Sequence, residues 1–319
     1  MSDEQSLMVK VADLYYLRHF TQEAIAQRLR LSRPTVSRLL ARARRNGIVR
    51  IEIAAPEETF SRMEGELEER FGVREAIVVR GGERPEAMRG TIARRAAACL
   101  ERVLKARQRV GVSWGTTLRA TIDALTPRRL GTTVVPLVGG VGSVAAEIHA
   151  NDLARRLAEA HGGVHHLLHA PAIVAGPEVR TALLSDPRIA RVLEAARHVD
   201  VALVGIGALV PSSTVVQSGY FSLRELAALR SMGAVGDVCT RPFSIDGAPV
   251  DAALDRRILA VEVADLKRIP TVIAVAGGAD KSEALIGALR AGFVDILVTD
   301  HLAARGVLRA ARIAEEASS

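Results

Sequence analysis

Apolar positions recur at two different spacings along the 319 residues of this chain. Between Leu7 and Arg45 they recur three and four positions apart in three successive stretches, which is the spacing of the buried face of an amphipathic helix. From Val73 onward, short apolar runs alternate with helical stretches, as strands and helices do in an open α/β domain. The pattern predicts a small helical head followed by a larger α/β body.

The helices of the head are marked by residues that begin and end helices. Thr21 and Ser32 each place a hydroxyl oxygen directly before an apolar helical stretch, where it can accept from free backbone amides. Asn46 and Gly47 are typical of a helix end. The stretch 48–53 then alternates apolar and polar residues, as a half-buried strand does. Helix, helix, tight turn, helix and strand predict a winged helix-turn-helix over residues 1–55.

The outer face of the third helix is basic, and no acidic residue occurs from Arg33 to Arg50. Residues 1–55 contain ten Arg and Lys against five Asp and Glu, so the head holds most of the net charge of +7. This asymmetry favours a polyanion-binding head over an ordinary solvated basic face. Short hydroxyls beside arginine suit the base edges and phosphates of a DNA major groove. The candidate DNA-binding residues are Gln22, Ser32, Arg33, Thr35, Ser37, Arg38, Arg42 and Arg45. Those from Arg33 to Arg38 are assigned to bases, and Gln22 and Arg42 to Arg45 to phosphates.

Residues 56–72 form a glutamate-rich connection between head and body. Phe60, Met63, Leu67 and Phe71 follow one another at spacings of three and four, which predicts a linker helix with an apolar stripe and an acidic outer face. Such a helix could join two heads across a dimer axis or pack on its own body, and the sequence leaves both open.

The body, residues 73–319, is predicted to form a mainly parallel sheet with helices between its strands. The predicted strands are 76–79, 109–113, 133–138, 164–168, 199–205, 234–239, 271–276 and 296–299, and the predicted helices are 86–105, 144–160, 223–230, 255–266 and 282–291. Ligands of such sheets bind beyond the carboxyl ends of the strands.

Three glycine-rich loops follow predicted strands. GVSWGTT (111–117) and GGADKS (277–282) each run from a predicted strand into a helix. GGVGS (139–143) follows the predicted strand 133–138. Loop amides, helix N-termini, hydroxyls and a lysine are what phosphate recognition requires, although each loop alone also fits a plain tight turn. Asp237, in GDVCTR, lies near the end of the predicted strand 234–239 and is a candidate acceptor for sugar hydroxyls or a turn cap. The candidate effector-binding residues are Gly111, Ser113, Trp114, Gly115, Thr116, Thr117, Gly139, Gly140, Asp237, Gly277, Gly278, Asp280 and Lys281.

The head resembles that of the SorC family of sugar-responsive bacterial regulators, through the run TQEAIAQRLRLSRPTVSRLLARARRNGIVRI. The body is similar to the effector domain of the same family, through GVSWGTT, PLVGG, IHANDLARRLA, HAPAIV, GAVGD and IPTVIAVAGGADK. The resemblance covers nearly the whole chain. It implies a Rossmann-like body related to ribose-5-phosphate isomerase, glucosamine-phosphate deaminase and coenzyme A transferases. It also implies a double-stranded DNA operator, a phosphorylated sugar effector, and homodimers or homotetramers.

The resemblance further implies roles for individual residues. The phosphate is expected on Ser113, Gly115, Thr116 and Thr117, with Lys281 supplying charge and Asp237 facing the sugar.

An enzyme carrying a DNA-binding head is the alternative, because isomerases and deaminases share the implied fold. His161, His165, His166 and His169 could serve acid–base or metal chemistry, but they span a Gly-Gly break and enter a strand, so structural or pocket-lining roles are favoured. The motifs GxxxxGK[ST] and GxGxxG are absent, which argues against nucleotide cofactors. Sensing without catalysis, cofactor or metal is expected. A nucleoid-type architectural binder is disfavoured by the nearly neutral body.

The remaining composition predicts a cytoplasmic protein without a membrane segment. No apolar run approaches the roughly 20 residues that a membrane span requires, and the polar start MSDEQS does not resemble a signal peptide. Cys99 and Cys239 lie far apart and in no metal-ligand spacing, which favours two reduced core thiols.

Overall fold

The computed structural model describes residues 3–49, 60–82, 84–140, 148–217, 219 and 221–316. Contacts divide the chain into two compact units between Glu57 and Glu58. We call the first unit the head and the second the body, and each is described separately.

The head consists of helices that pack on a small apolar core. They are α1 (Asp3–Ala12), which continues into a π-helical turn (Asp13–Leu17), α2 (Gln22–Leu29) and α3 (Arg33–Arg45). Val11, Ile25 and Val36, one from each helix, are fully buried together. Both predicted caps form, since the Thr21 hydroxyl accepts from the amide of Ala24 and the Ser32 hydroxyl from the amide of Thr35. The turn between α2 and α3 spans only residues 30–32, as in a helix-turn-helix.

The strand predicted for the wing is described only at its start. Ile48 and Val49 lie in a bend after α3, and the amide of Val49 donates to the carbonyl of Ala43. Residues 50–53 of the predicted strand lie outside the described residues, so the wing stays a prediction.

The described part of the body contains ten strands in two sheets. They are β1 (Glu75–Val79), β2 (Arg109–Val112), β3 (Thr133–Pro136), β4 (Val164–His165), β5 (Val201–Gly205), β6 (Gly207–Ala208), β7 (Ala234–Val238), β8 (Arg241–Ser244), β9 (Thr271–Val275) and β10 (Ile296–Asp300). Seven of them form a wholly parallel sheet in the order β1-β10-β9-β5-β2-β3-β4. The other three form an antiparallel sheet in the order β6-β7-β8.

The predicted strand 234–239 forms as β7, but it lies outside the parallel sheet. β7 ends at Val238, and Cys239 and Thr240 then turn the chain directly back into β8, with φ of 50° and 63°. A two-residue turn can join only antiparallel strands, because a parallel neighbour requires a long crossover. The strand therefore belongs to the small sheet.

Helices connect the strands of the body. They are α4 (Ser61–Phe71), α5 (Pro85–Val103), α6 (Thr116–Asp123), α7 (Ala150–Ala160), α8 (Pro177–Leu184), α9 (Pro187–Arg197), α10 (Thr214–Gln217), α11 (Leu223–Ser231), α12 (Ala252–Asp255), α13 (Val263–Leu266), α14 (Ser282–Arg290) and α15 (His301–Glu316). The helix predicted over 255–266 is instead two short helices, α12 and α13. Between them Ile258 and Ala260 form bridges to other segments, so the backbone is extended there. The start of the helix predicted over 144–160 lies partly outside the described residues.

The linker helix α4 packs on the body. Leu67 is fully buried in the body core, and two of the glutamates predicted to face outward cover the sheet edge instead. Glu68 accepts from the amide of Ala76 and Glu64 from that of Val78, both at 2.8 Å. These bonds satisfy amides of β1, which is an edge strand of the parallel sheet.

Apolar clusters cover both faces of the parallel sheet. Along β1, Ala76 and Val78 belong to one cluster and Ile77 and Val79 to the other. A parallel sheet covered on both faces is the Rossmann-like α/β architecture that the sequence predicts. Among the described residues, no helix combines the length and the apolar character needed to cross a bilayer.

Candidate functional site

A cavity of about 680 Å³ opens at the carboxyl ends of the parallel strands β2, β5 and β9. The first turns of α5, the loop before α10 and the β7–β8 hairpin complete its wall. This is the edge at which ligands of such sheets bind. Of the predicted effector-binding residues, ten line the cavity: Ser113, Trp114, Gly115, Thr116, Thr117, Asp237, Gly277, Gly278, Asp280 and Lys281.

The other three predicted residues lie outside the cavity wall, and two of them, Gly111 and Gly139, have a packing reason for being glycine. A Cβ at Gly111 in β2 would stand 2.5 Å from the side chain of Leu137. A Cβ at Gly139 would stand 2.6 Å from two backbone carbonyl oxygens. Gly140 pairs with the backbone of residues 170–172. The rest of the predicted loop GGVGS lies outside the described residues.

The GVSWGTT loop offers hydroxyl and amide donors to the cavity. Gly115 caps the start of α6 with φ of 125°, which only glycine adopts without strain. The first amides of α6 have no intrahelical acceptor, so those of Thr116 and Thr117 remain available beside their hydroxyls. Ser113, 1% exposed, precedes them on the same loop. Such a set of donors suits an anion with several oxygens, such as phosphate.

Asp237 and Lys281 form a charged pair of groups in the cavity wall. Asp237 is 4% exposed. Its burial raises the pKa of the carboxyl to about 6, against the charge of Lys281 and the amide of Thr240, which both favour the carboxylate. Burial lowers the pKa of Lys281, while Asp237 and Asp280 hold it up. Gly207 makes room for this arrangement, because a Cβ there would stand 1.9 Å from an oxygen of Asp237.

The raised pKa of Asp237 makes the stability of the effector-free body depend on pH. Between the ordinary value of 3.8 and about 6, the folded chain keeps a proton that the unfolded chain has lost. The stability contributed by this proton is complete below about pH 4 and is lost as pH rises through 6. Relative to Asp237→Asn, we expect the wild type to lose about 1.4 kcal/mol per pH unit over this range, roughly 3 kcal/mol in all.

Urea unfolding of both proteins at half-unit pH intervals measures this difference. Carboxylates elsewhere, such as Asp152 with its lowered pKa, contribute equally to both proteins and cancel. A difference in unfolding free energy that stays constant from pH 4.5 to 7 would contradict the raised pKa of Asp237.

Several residues of the cavity wall were missed by the sequence analysis. Ser212, Ser213 and Thr214 bring further hydroxyls from the loop before α10, and Arg89 brings a guanidinium from α5. Neither segment ends a strand of the parallel sheet, so the strand-end rule does not find them. The Gly205-Ile206-Gly207 segment could have been found, because it begins at the last residue of β5.

Cys239 joins two predicted parts of the cavity wall. Its thiol donates to the Ser113 hydroxyl at 3.6 Å, and both residues are buried. Burial raises the pKa of the thiol to about 12, so Cys239 is held as a neutral donor rather than as a reactive thiolate.

The candidate DNA-binding residues lie on one surface of the head. Arg33, Ser37, Arg38 and Arg45 are exposed on α3, opposite the buried Val36, Leu39 and Leu40. Thr35 is half-buried, accepts from Ser32 or donates to it at 2.8 Å, and accepts from Arg38 at 3.4 Å. Gln22 is half-buried at the start of α2. Arg42 forms an exposed ion pair with Glu4 of α1 through one guanidinium nitrogen, and its other donors can still meet a phosphate.

The four clustered histidines do not reach the cavity. His161 is fully buried, with neither ring nitrogen bonded to a described residue, and burial lowers its pKa. His165, His166 and His169 are exposed near the β4 edge. Among the described residues, no group of three or more His, Cys, Asp or Glu side chains is placed to hold a metal ion.

Comparisons with known proteins agree with this architecture. Residues 56–309 match a family model described as "Putative sugar-binding domain". The deoxyribonucleoside regulator of Bacillus subtilis is 32% identical over 96% of this chain and 98% of its own length. The sorbitol operon regulator of Klebsiella pneumoniae is 31% identical over 97% and 99%. The crystal structure of full-length SorC from Klebsiella pneumoniae superimposes with a TM-score of 0.75 at 30% identity, covering 96% of this chain and 100% of that one.

Proposed function

This chain belongs to the SorC family of sugar-binding transcriptional regulators, and on that premise we propose that a phosphorylated sugar in the body cavity controls the binding of the head to an operator. The protein is a DNA-binding regulator of genes of carbohydrate metabolism. The observation that supports the effector class is the GVSWGTT loop, which turns hydroxyls and free helix amides into the cavity beside Lys281. Asp237 faces the same space and accepts from sugar hydroxyls in our proposal.

We further propose that the protein acts as a homodimer or homotetramer in the cytoplasm. Two heads related by a twofold axis would read two half-sites of a pseudo-palindromic operator. Because the two relatives named above are regulators, we propose sensing without turnover. Conversion of a sugar phosphate by the purified protein would overturn that part of the proposal.

A thermal-shift screen followed by operator titration tests the proposed function. Phosphorylated and unphosphorylated forms of the same pentoses and hexoses are compared as matched pairs. A bound effector stabilises the folded body by mass action, by about 2.7 kcal/mol at a concentration one hundred times its Kd. We expect stabilisation by at least one phosphorylated form, none by its unphosphorylated partner, and a change in operator affinity with the same compound. Operator binding that no sugar phosphate shifts would contradict the proposal.

A further inference from the structure

One cation of the cavity has no counter-ion among the residues that the structure describes. Arg89 of α5 is half-buried and lines the cavity. Among the described residues, no carboxylate, hydroxyl or carbonyl bonds its guanidinium, whereas its helix neighbour Arg94 bonds the hydroxyl of Thr91. A guanidinium that is partly withdrawn from water without a partner is unfavourable, which suggests that the partner is a ligand.

Packing holds the turn of Arg89 over the end of β9. A Cβ at Gly277 would stand 2.1 Å from Cδ1 of Ile92, and a Cβ at Gly278 would stand 3.6 Å from Cε of Met88. The residues on both sides of Arg89 therefore rest against the same loop that carries Lys281. A larger residue at Gly277 would clash with the side chains of Ile92 and Asp300.

Of the two cations that line the described part of the cavity wall, Arg89 is the one without a carboxylate partner there. The charged residues that line the cavity are Arg89, Lys281, Asp237 and Asp280, so their formal charges cancel. The positive charge of Lys281 already interacts with both aspartates. A phosphate on the GVSWGTT loop thus meets hydroxyls and amides there, and Lys281 shares its positive charge with the two aspartates.

A second unsatisfied polar group lies on the same wall. Ser213 is 6% exposed, and its hydroxyl oxygen bonds to no described residue. Buried hydroxyls in native structures have partners with few exceptions. Two polar groups without partners on one cavity wall point to a polar ligand that bonds both.

We propose that Arg89 binds the anionic oxygens of the effector directly and supplies the positive charge that the GVSWGTT loop lacks. The planar guanidinium donates two parallel hydrogen bonds to phosphate, a geometry that the ammonium of Lys281 cannot reproduce. The inference rests on the proposed function, because the anion is taken to be the phosphate of a sugar phosphate. It adds Arg89 as a determinant of specificity for phosphorylated over unphosphorylated sugars.

Calorimetric titration of four full-length proteins tests the role of Arg89. They are the wild type, Arg89→Ala, Arg89→Lys and Arg95→Ala, and the last is a control because Arg95 is exposed on the same helix outside the cavity. The probes are ribose 5-phosphate, glucose 6-phosphate and fructose 6-phosphate, the three unphosphorylated sugars, and inorganic phosphate. We expect Arg89→Ala to raise the Kd of the tightest sugar phosphate about ten- to hundredfold.

The other variants show whether a loss of affinity comes from the lost charge, from the lost guanidinium geometry or from a folding defect. Arg89→Lys should recover part of the affinity, Arg95→Ala should bind as the wild type does, and the ligand-free Tm of no variant should fall below that of the wild type. Wild-type affinity of Arg89→Ala for the sugar phosphate would overturn the role of Arg89 and leave the proposed function standing. Equal losses for sugar phosphate and unphosphorylated sugar would overturn it as well. If no sugar phosphate binds the wild type, the proposed function fails and the inference with it.

Discussion

Replacing Arg38 by alanine should lower operator affinity by about a hundredfold or more while the body stays folded. Arg38 is exposed on α3, and the contact that its guanidinium makes within the head is a long bond of 3.4 Å to the Thr35 hydroxyl, so little holds it away from DNA. A bidentate contact between arginine and a base contributes about 1–3 kcal/mol. A dimer would lose two of them, and each 1.4 kcal/mol corresponds to a factor of about ten.

Fluorescence anisotropy on the operator and on a scrambled duplex measures this loss. Arg45→Ala is the informative comparison, because a lost phosphate contact weakens binding to both duplexes and lowers the dependence of affinity on salt. Arg188→Ala on the body is the neutral control, since its side chain is 83% exposed far along the chain from the head. An Arg38→Ala protein that still prefers the operator as the wild type does would refute the assignment of Arg38 to bases.

Replacing Lys281 by alanine should separate DNA binding from its control. The effector-free protein should bind the operator nearly as the wild type does, because Lys281 lies in the body unit. The effector concentration that gives half of the response should rise about ten- to hundredfold, because a charge-assisted contact is lost and Asp237 keeps its buried carboxyl without the attraction of Lys281.

Two further variants test whether the weaker effector response of Lys281→Ala comes from the lost charge in the cavity. Lys267→Ala removes an exposed lysine from the end of α13 outside the cavity and should leave the response unchanged. The double variant Asp237→Asn/Lys281→Met removes both charges together, so it should be more stable at pH 7 than Lys281→Ala alone. A full effector response from Lys281→Ala would remove Lys281 from the site.

Local signals in the sequence were sufficient to predict most of the helices and strands. The hydroxyls of Thr21 and Ser32 predict the starts of α2 and α3, since an N-cap depends only on neighbouring residues. The helix predicted over 255–266 fails for the converse reason. Its apolar residues pair with distant segments such as Val138 and Ile173, and this long-range pairing overrides the local period.

The effector site likewise contains residues that the sequence predicts and residues whose surroundings only the tertiary structure shows. Ser113 and Lys281 follow buried strands, and the carboxyl ends of parallel strands meet at one edge, so the sequence alone predicts that their loops converge. Gly111 has the same surroundings in the sequence, but only the packed sheet shows Leu137 against it.

The basic outer face of α3 was determined by the sequence, because a helix of known period fixes which side chains share a face. The partners of the remaining charges were decided by the tertiary structure. Arg42 meets Glu4 on another helix, Asp237 reaches the cavity on an antiparallel hairpin, and Arg89 is carried there on α5. Each of these positions depends on packing between segments far apart in the chain, and no local pattern of residues records that packing.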